Sequence, residues 1–177
     1  RDFLTDHDDA ILATGFFTLP QDTDLYERAV LSLTAFGGMG GRVNGLEALA
    51  YAMRSNWARR TPETKNRQII VVFTNAGTHE IGYGANASGY PVDKMAKSFE
   101  ELSLWWPDEN QRPEALLDFC ASRLILFAPD EPYWSTIYNN WENVIHFTSA
   151  AECGLCDDAL NDILDQFENS LLTQNRW

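Results

Sequence analysis

Two uninterrupted apolar runs constrain this chain more than any other feature: IIVVF at 69–73 and LILFA at 124–128. A run with no polar alternation reads as a strand buried on both faces, and such strands belong to parallel sheets covered by helices. Around these runs, strand-like and helix-like segments alternate, and no repeat, low-complexity tract or linker divides them. That alternation predicts βαβ units and a mainly parallel sheet with helices on both faces, an α/β fold. A chain of 177 residues is long enough for one such domain, and 45% apolar with 12% aromatic residues can fill its core.

The spacing of apolar residues places the other elements. Residues 10–17 (AILATGFF) predict a strand that ends at Leu19–Pro20. Leu25, Ala29, Val30 and Leu33 recur at helical spacing, with Asp22 or Thr23 placed to cap the start. After a Gly-rich loop at 37–44 (GGMGGRVN), Gly45 to Arg59 predicts a helix with Leu46, Leu49, Ala50 and Met53 on one face. The strand at 68–74 follows, then a Gly- and Tyr-rich loop as far as Tyr90. Pro91 is expected to open a helix carrying Met95, Phe99, Leu102 and Trp106, and Pro113 a shorter one. The strand at 123–128 leads into a helix over 132–141, a strand over 143–147 and an amphipathic helix over 157–172. Parallel sheets bind ligands beyond the carboxyl ends of their strands. Function is therefore expected in 37–44, 75–90, 129–135 and 148–156.

Charge narrows the partners. A net charge of −13 leaves no basic stripe for nucleic acid and disfavours anionic membrane surfaces; solubility accounts for it. No apolar run approaches the roughly 20 residues of a membrane span, and the acidic opening RDFLTDHDDA is not a signal peptide. Three cysteines do not make a disulfide framework, so a reducing, cytoplasmic setting is expected.

Four stretches carry a family resemblance: GGMGGRVNGLEALAYAM, IIVVFTNAGTHE, RLILFAPDEPYWSTI and NVIHF. Together they resemble a von Willebrand factor A (vWA) domain, and more narrowly bacterial vWA-domain proteins, over about residues 10–172. The resemblance implies a three-layer α/β/α, Rossmann-like fold. Its sheet is mainly parallel with one short antiparallel edge strand, for which 10–17 is the candidate. It makes 1–177 a single domain whose first strand and helix are missing, and the absence of an initial Met is expected of a fragment or a processed form. It also implies a non-catalytic domain that binds a protein partner, often through a divalent cation at the carboxyl edge of the sheet.

The positions that would hold this cation depart from the family pattern. The Asp-x-Ser-x-Ser loop is absent, the second loop reads Gly40, Gly41, Arg42, Val43, Asn44, and the third position, an Asp in the family, is Asn75. Mg²⁺ is usually anchored by one or two carboxylates, and Ca²⁺ needs them too. An amide offers a carbonyl but no charge. A unit charge at about 4 Å is worth about 4 kcal/mol at an effective dielectric of about 20, and a cationic Arg42 adds repulsion of the same order. No metal is therefore expected at Asn44 and Asn75, and neither Mg²⁺ nor Ca²⁺ as a cofactor.

Further groups stand beside blander readings. Thr78, His79 and Glu80 offer a base and a carboxylate for acid–base work, but no nucleophile elbow accompanies them; satisfying the loop's own backbone is the plainer role. Cys153 and Cys156 form a lone C-x-x-C, while Cys120 lies at the opposite end of its strand and His146 inside another, so a four-ligand zinc site is not expected. DHDD at 6–9 lacks the Gly and terminal Glu of a calcium loop and reads as a solvated turn. The glycines at 37–41 lack the phosphate-loop Lys. Trp105 and Trp106 suit packing, whereas Tyr133 and Trp134, beside Asp130 and Glu131, suit an interface. The expected function is a protein-interaction domain contacting its partner through Arg42, Asn44, Asn75, Thr78, His79, Glu80, Asp130, Glu131, Tyr133 and Trp134. The alternatives are a cation-dependent scaffold whose metal is held by an upstream Asp-x-Ser-x-Ser loop, and a hydrolase using His79 and Glu80.

Overall fold

In the computed structural model, the residues described are 1–6, 10–34, 41–59, 61, 63–64, 66–149, 164–165 and 168. Their elements run α1 (Phe3–Asp6), α2 (Thr23–Leu31), β1 (Arg42–Val43), α3 (Gly45–Met53), β2 (Gln68–Phe73), β3 (Gly77–Thr78), a 3₁₀ turn (Val92–Lys94), α4 (Phe99–Trp105), β4 (Ser122–Ala128), α5 (Trp134–Asn140) and β5 (Val144–Thr148). Three strands form one sheet in the order β2-β4-β5, and β1 and β3 pair separately; every ladder is parallel. The α/β class and the parallel sheet follow directly from the two apolar runs.

Strand β4 is the middle of the sheet. Leu124 to Ala128 are all buried, as its apolar sequence requires. On one face, Leu124, Leu126 and Ala128 join Ile70 and pack beneath Leu46, Leu49, Ala50 and Met53 of α3, Leu102 and Trp105 of α4, and Trp134 and Ile137 of α5. The four α3 residues are those the helical spacing selected. On the other face, Ile125 and Phe127 lie with Ile69 and Phe147. Three phenylalanines at equivalent register stack across the strands, Phe73 on Phe127 at 4.7 Å and Phe127 on Phe147 at 4.8 Å.

Several expectations change. Residues 10–17 form no strand; Leu12 and Phe16 are exposed, and no antiparallel ladder exists among the described residues. β-propensity is realised only against a partner strand, and this segment has none among the described residues. Strand β2 is not buried on both faces: Val71 is 38% and Phe73 63% exposed, and β2 is the edge of its sheet among the described residues. Helix α3 stops at Met53, six residues before Arg59. Pro91 opens only the 3₁₀ turn. Met95 is extended, and the helix restarts at Ser98, whose hydroxyl accepts from Glu101 N at 3.2 Å while the Glu101 carboxylate accepts from Lys97 N at 2.6 Å. The sequence Ser-x-x-Glu is the capping signal that a reading based on Pro91 passed over. Pro113 begins turns, not a helix. The expected helix at 157–172 lies, except for Leu164, Asp165 and Glu168, outside the described residues, as do 35–40 and Cys153 and Cys156.

Exposed α2 and the interior of β4 make opposite predictions. Leu126→Ala should lower unfolding free energy by about 3 kcal/mol through lost burial and a residual cavity, and Leu31→Ser should stay within about 0.5 kcal/mol. Urea denaturation of both variants checks this.

Candidate functional site

The loops beyond β2 and β4 meet the β1–β3 pair. Arg42 lies in register with Gly77, and Val43 with Thr78. Glu131 reaches across from the β4 loop: its carboxylate packs directly over Gly77, where a Cβ would overlap it, and its oxygen is 3.8 Å from Arg42 Nε. Both side chains are nearly half exposed, so the pair is worth at most about 1 kcal/mol. It closes the bottom of the loop cluster with a cation and an anion that neutralise each other.

Thr78 and Asn44 are structural cross-links. Thr78, 1% exposed, accepts from Leu46 N at 3.2 Å and can donate to Val43 O at 3.1 Å or His79 O at 3.0 Å. It caps the start of α3 from outside the helix, a task that the Asn44 side chain leaves undone. Asn44 instead accepts from Phe3 N at 3.0 Å and donates to Tyr83 O at 2.9 Å, so one amide ties α1 and the 79–90 loop to α3. Phe3 then fills the space under that loop, 4.8 Å from the Tyr90 ring.

His79 does not pair with Glu80, which is exposed. Its Nε2 faces the Asp2 carboxylate at 3.4 Å, and its ring stacks on Tyr83 at 3.8 Å. Among the described residues no group of three His, Cys, Asp or Glu side chains converges as a metal site. Asp130 accepts from Tyr138 Oη at 2.5 Å, and that bond raises the Tyr138 pKa above the ordinary phenol value. Tyr133 has φ of 70° and ψ of −52° at the start of α5, a positive-φ conformation outside the left-handed helical basin that is strained for a bulky residue. Trp134 is fully buried; its Nε1 donates to Ala76 O at 3.2 Å, and its ring lies 2.5 Å from where a Cβ on Gly45 would be. Only glycine fits there.

The structure thus separates the ten candidates. Asn44, Thr78 and Trp134 are buried and act inward. Arg42, Asn75, Glu80 and Asp130 are exposed, and His79, Glu131 and Tyr133 are partly so. Cys120 is exposed at the amino end of β4, remote from this edge; His146 Nε2 lies 2.9 Å from Ala128 O within the sheet. Of DHDD, only Asp6 is described, and it ends α1.

Two groups were missed. Asp2 gave no sequence signal, since its pairing with His79 spans most of the domain's early chain. Glu47 did: it lies three residues before Ala50, beside the inward face of an otherwise apolar helix. It is fully buried; Oε1 accepts from Gly82 N at 2.9 Å and Tyr90 Oη at 3.4 Å, and Oε2 has no partner. Burial pushes its pKa above the usual carboxylate value, against the lowering effect of the Gly82 amide. Burial, then the Glu47 charge, raises the Tyr90 phenol in turn.

Comparison with family models, curated proteins and solved structures finds no match for this chain.

Two predictions follow from the cross-links. Asn44→Ala leaves Phe3 N and Tyr83 O unpaired and should cost about 2 kcal/mol, with faster amide exchange along 79–90. For Glu47, a folded pKa above the unfolded one means its contribution to stability is complete below the ordinary carboxylate range and is lost as pH rises through the raised value. Glu47→Gln removes that loss, so urea titrations from pH about 5 to about 8 should show the variant gaining on the native protein as pH rises.

Proposed function

We propose that this chain is a non-catalytic protein-interaction domain of vWA type, with a three-layer α/β/α fold, that binds its partner through the loops at the carboxyl edge of the sheet without a divalent cation. The observation that carries this reading is the Arg42–Glu131 pair. The one acidic group that lies over Gly77 already has a cation beside it, and the residue following β2 by two positions is the neutral Asn75. A dication brought to this cluster meets an amide and a guanidinium rather than paired carboxylates.

What faces outward suits a protein surface. Arg42, Asn75, Glu80 and Asp130 provide mixed charge and hydrogen-bonding groups around the partly buried Tyr133 ring. Interfaces combine polar rims with aromatic anchors in this way. The strained backbone of Tyr133 adds weight, since such conformations cluster at sites of function. No helix among the described residues is long and apolar enough to cross a membrane. The exposed Cys120 thiol accords with a reducing, cytoplasmic location.

Calorimetric titration with Mg²⁺, Mn²⁺ and Ca²⁺ is expected to show no binding in the micromolar range, and partner co-purification should persist in EDTA. Asn75→Arg together with Glu80→Arg, both at exposed positions, should reduce partner recovery about tenfold or more without lowering thermal stability. Recovery lost on chelation, or micromolar binding of any of the three ions, overturns the proposal.

A further inference from the structure

The amino end of the sheet carries a cleft of its own, at the opposite end of the strands from the loops described above. Asp118 and Cys120 lead into β4 there, Arg59 belongs to the stretch between α3 and β2, and Arg112 to the turns after α4. Together they border a cavity of roughly 550 Å³, a size usual for a small-molecule site. Pro107, Leu117 and Phe119 give it apolar walls. In a chain of net charge −13, a cavity that brings two guanidiniums to one place stands apart.

The charged side chains around it, Arg59, Arg112 and Asp118, are not equivalent. Arg112 is held by Asp108, Nη2 to carboxylate oxygen at 2.8 Å, so it brings hydrogen-bond donors but little net charge. Arg59 is exposed, and among the described residues its guanidinium has neither an ion pair nor a hydrogen bond. Asp118 is partly buried. Its Oδ1 accepts from Cys120 N at 2.8 Å, and among the described residues its carboxylate has no cation beside it. A cation and an anion thus border one cavity without pairing with each other. Each keeps its charge for a ligand to meet.

We propose that this cleft binds a small zwitterion of the amino-acid class, its carboxylate on Arg59 and Arg112, its ammonium on Asp118, and a large apolar side chain against Pro107, Leu117 and Phe119. A guanidinium presents its donors as a fork that matches a carboxylate, and a second one fixes orientation as well as charge. On Asp118, Oδ2 is the oxygen left for the ammonium, since Oδ1 already accepts from Cys120 N. An anion that lacks the ammonium sets a like charge against Asp118, and an amine that lacks the carboxylate sets one against Arg59. Each mismatch selects against the singly charged compound. Cys120, exposed among the lining residues, reports occupancy without taking part. The surface proposed above lies at the other end of the sheet, so either proposal can fail alone.

The test uses the full chain, with L-leucine, L-phenylalanine and L-tryptophan as probes. Binding is read by calorimetric titration and by alkylation of Cys120 with iodoacetamide, followed on the peptide that contains it. At about 10 mM, at least one probe should bind and slow that alkylation about threefold or more. The N-acetyl derivative of the tightest probe, which lacks the ammonium, and its amide, which lacks the carboxylate, should each bind about tenfold more weakly. Arg59→Gln should abolish the preference over the amide, and Asp118→Asn the preference over the N-acetyl compound; the asparagine keeps an acceptor for Cys120 N. A variant that merely misfolds loses all binding instead of one preference, and the derivatives on the unaltered protein then decide. No protection of Cys120 by any of the three probes overturns the proposal. So does heat of binding without that protection, equal binding of the two derivatives and the free amino acid, or an unchanged preference in either folded variant.

Discussion

Strand β4 is hydrogen-bonded on both sides and apolar on both faces, and the rest of the structure takes its position from it. A strand in that situation cannot slip by one residue without moving Leu124, Leu126 and Ala128 out from under the helices. Its register fixes β2 and β5, and the stacked Phe73, Phe127 and Phe147 show the three strands ending nearly level. Because they do, the turns after β2 and β4 emerge side by side. Glu131 can then reach Gly77, and Trp134 can tuck beneath Ala76. The site is a consequence of where two strands stop.

Small residues make that approach possible. Gly45 leaves room for the Trp134 ring and Gly77 for the Glu131 carboxylate. A side chain at Gly45 would push the buried Trp134 ring, and α5 with it, away from α3, whereas one at Gly77 would displace only the end of the Glu131 side chain. Asn44 and Thr78 then fasten what the glycines admit, joining α1, α3, β3 and the 79–90 loop through single side chains. Asn44 thus serves to tie backbone to backbone. Glu47 is the weak member of the set, a buried carboxyl with one oxygen unpaired beneath the loop it helps to hold.

Much of this was legible in the sequence, for identifiable reasons. The β2, β4 and β5 strands and the α3 face were readable because each is set by hydrophobic spacing within a short window. The end of α3 and the break between Val92–Lys94 and α4 were not, because the Pro91 signal competes with the Ser98–Glu101 cap and the cap wins. Residues 10–17 were assigned a strand on composition that is right for one, but a strand exists only with a neighbour. The exposed candidates could be named from their place after the strands. The inward role of Asn44, Thr78 and Trp134 could not, since it depends on partners 32 to 58 residues away.

The loop cluster keeps a share of the chain's negative charge. The net charge is −13, and although Arg42 offsets Glu131, exposed Glu80 and Asp130 retain theirs, Asp130 while accepting a hydrogen bond from the neutral Tyr138 phenol. Long-range attraction of cations or basic partners needs a focused patch with low-dielectric walls. An exposed ion pair such as Arg42–Glu131 contributes more to register than to affinity, so on the function proposed above fit and hydrogen bonding would carry recognition. The excess negative charge over the chain as a whole disfavours approach of anionic partners at long range, which leaves close-range shape and hydrogen bonding as the terms that can discriminate among neutral and basic ones.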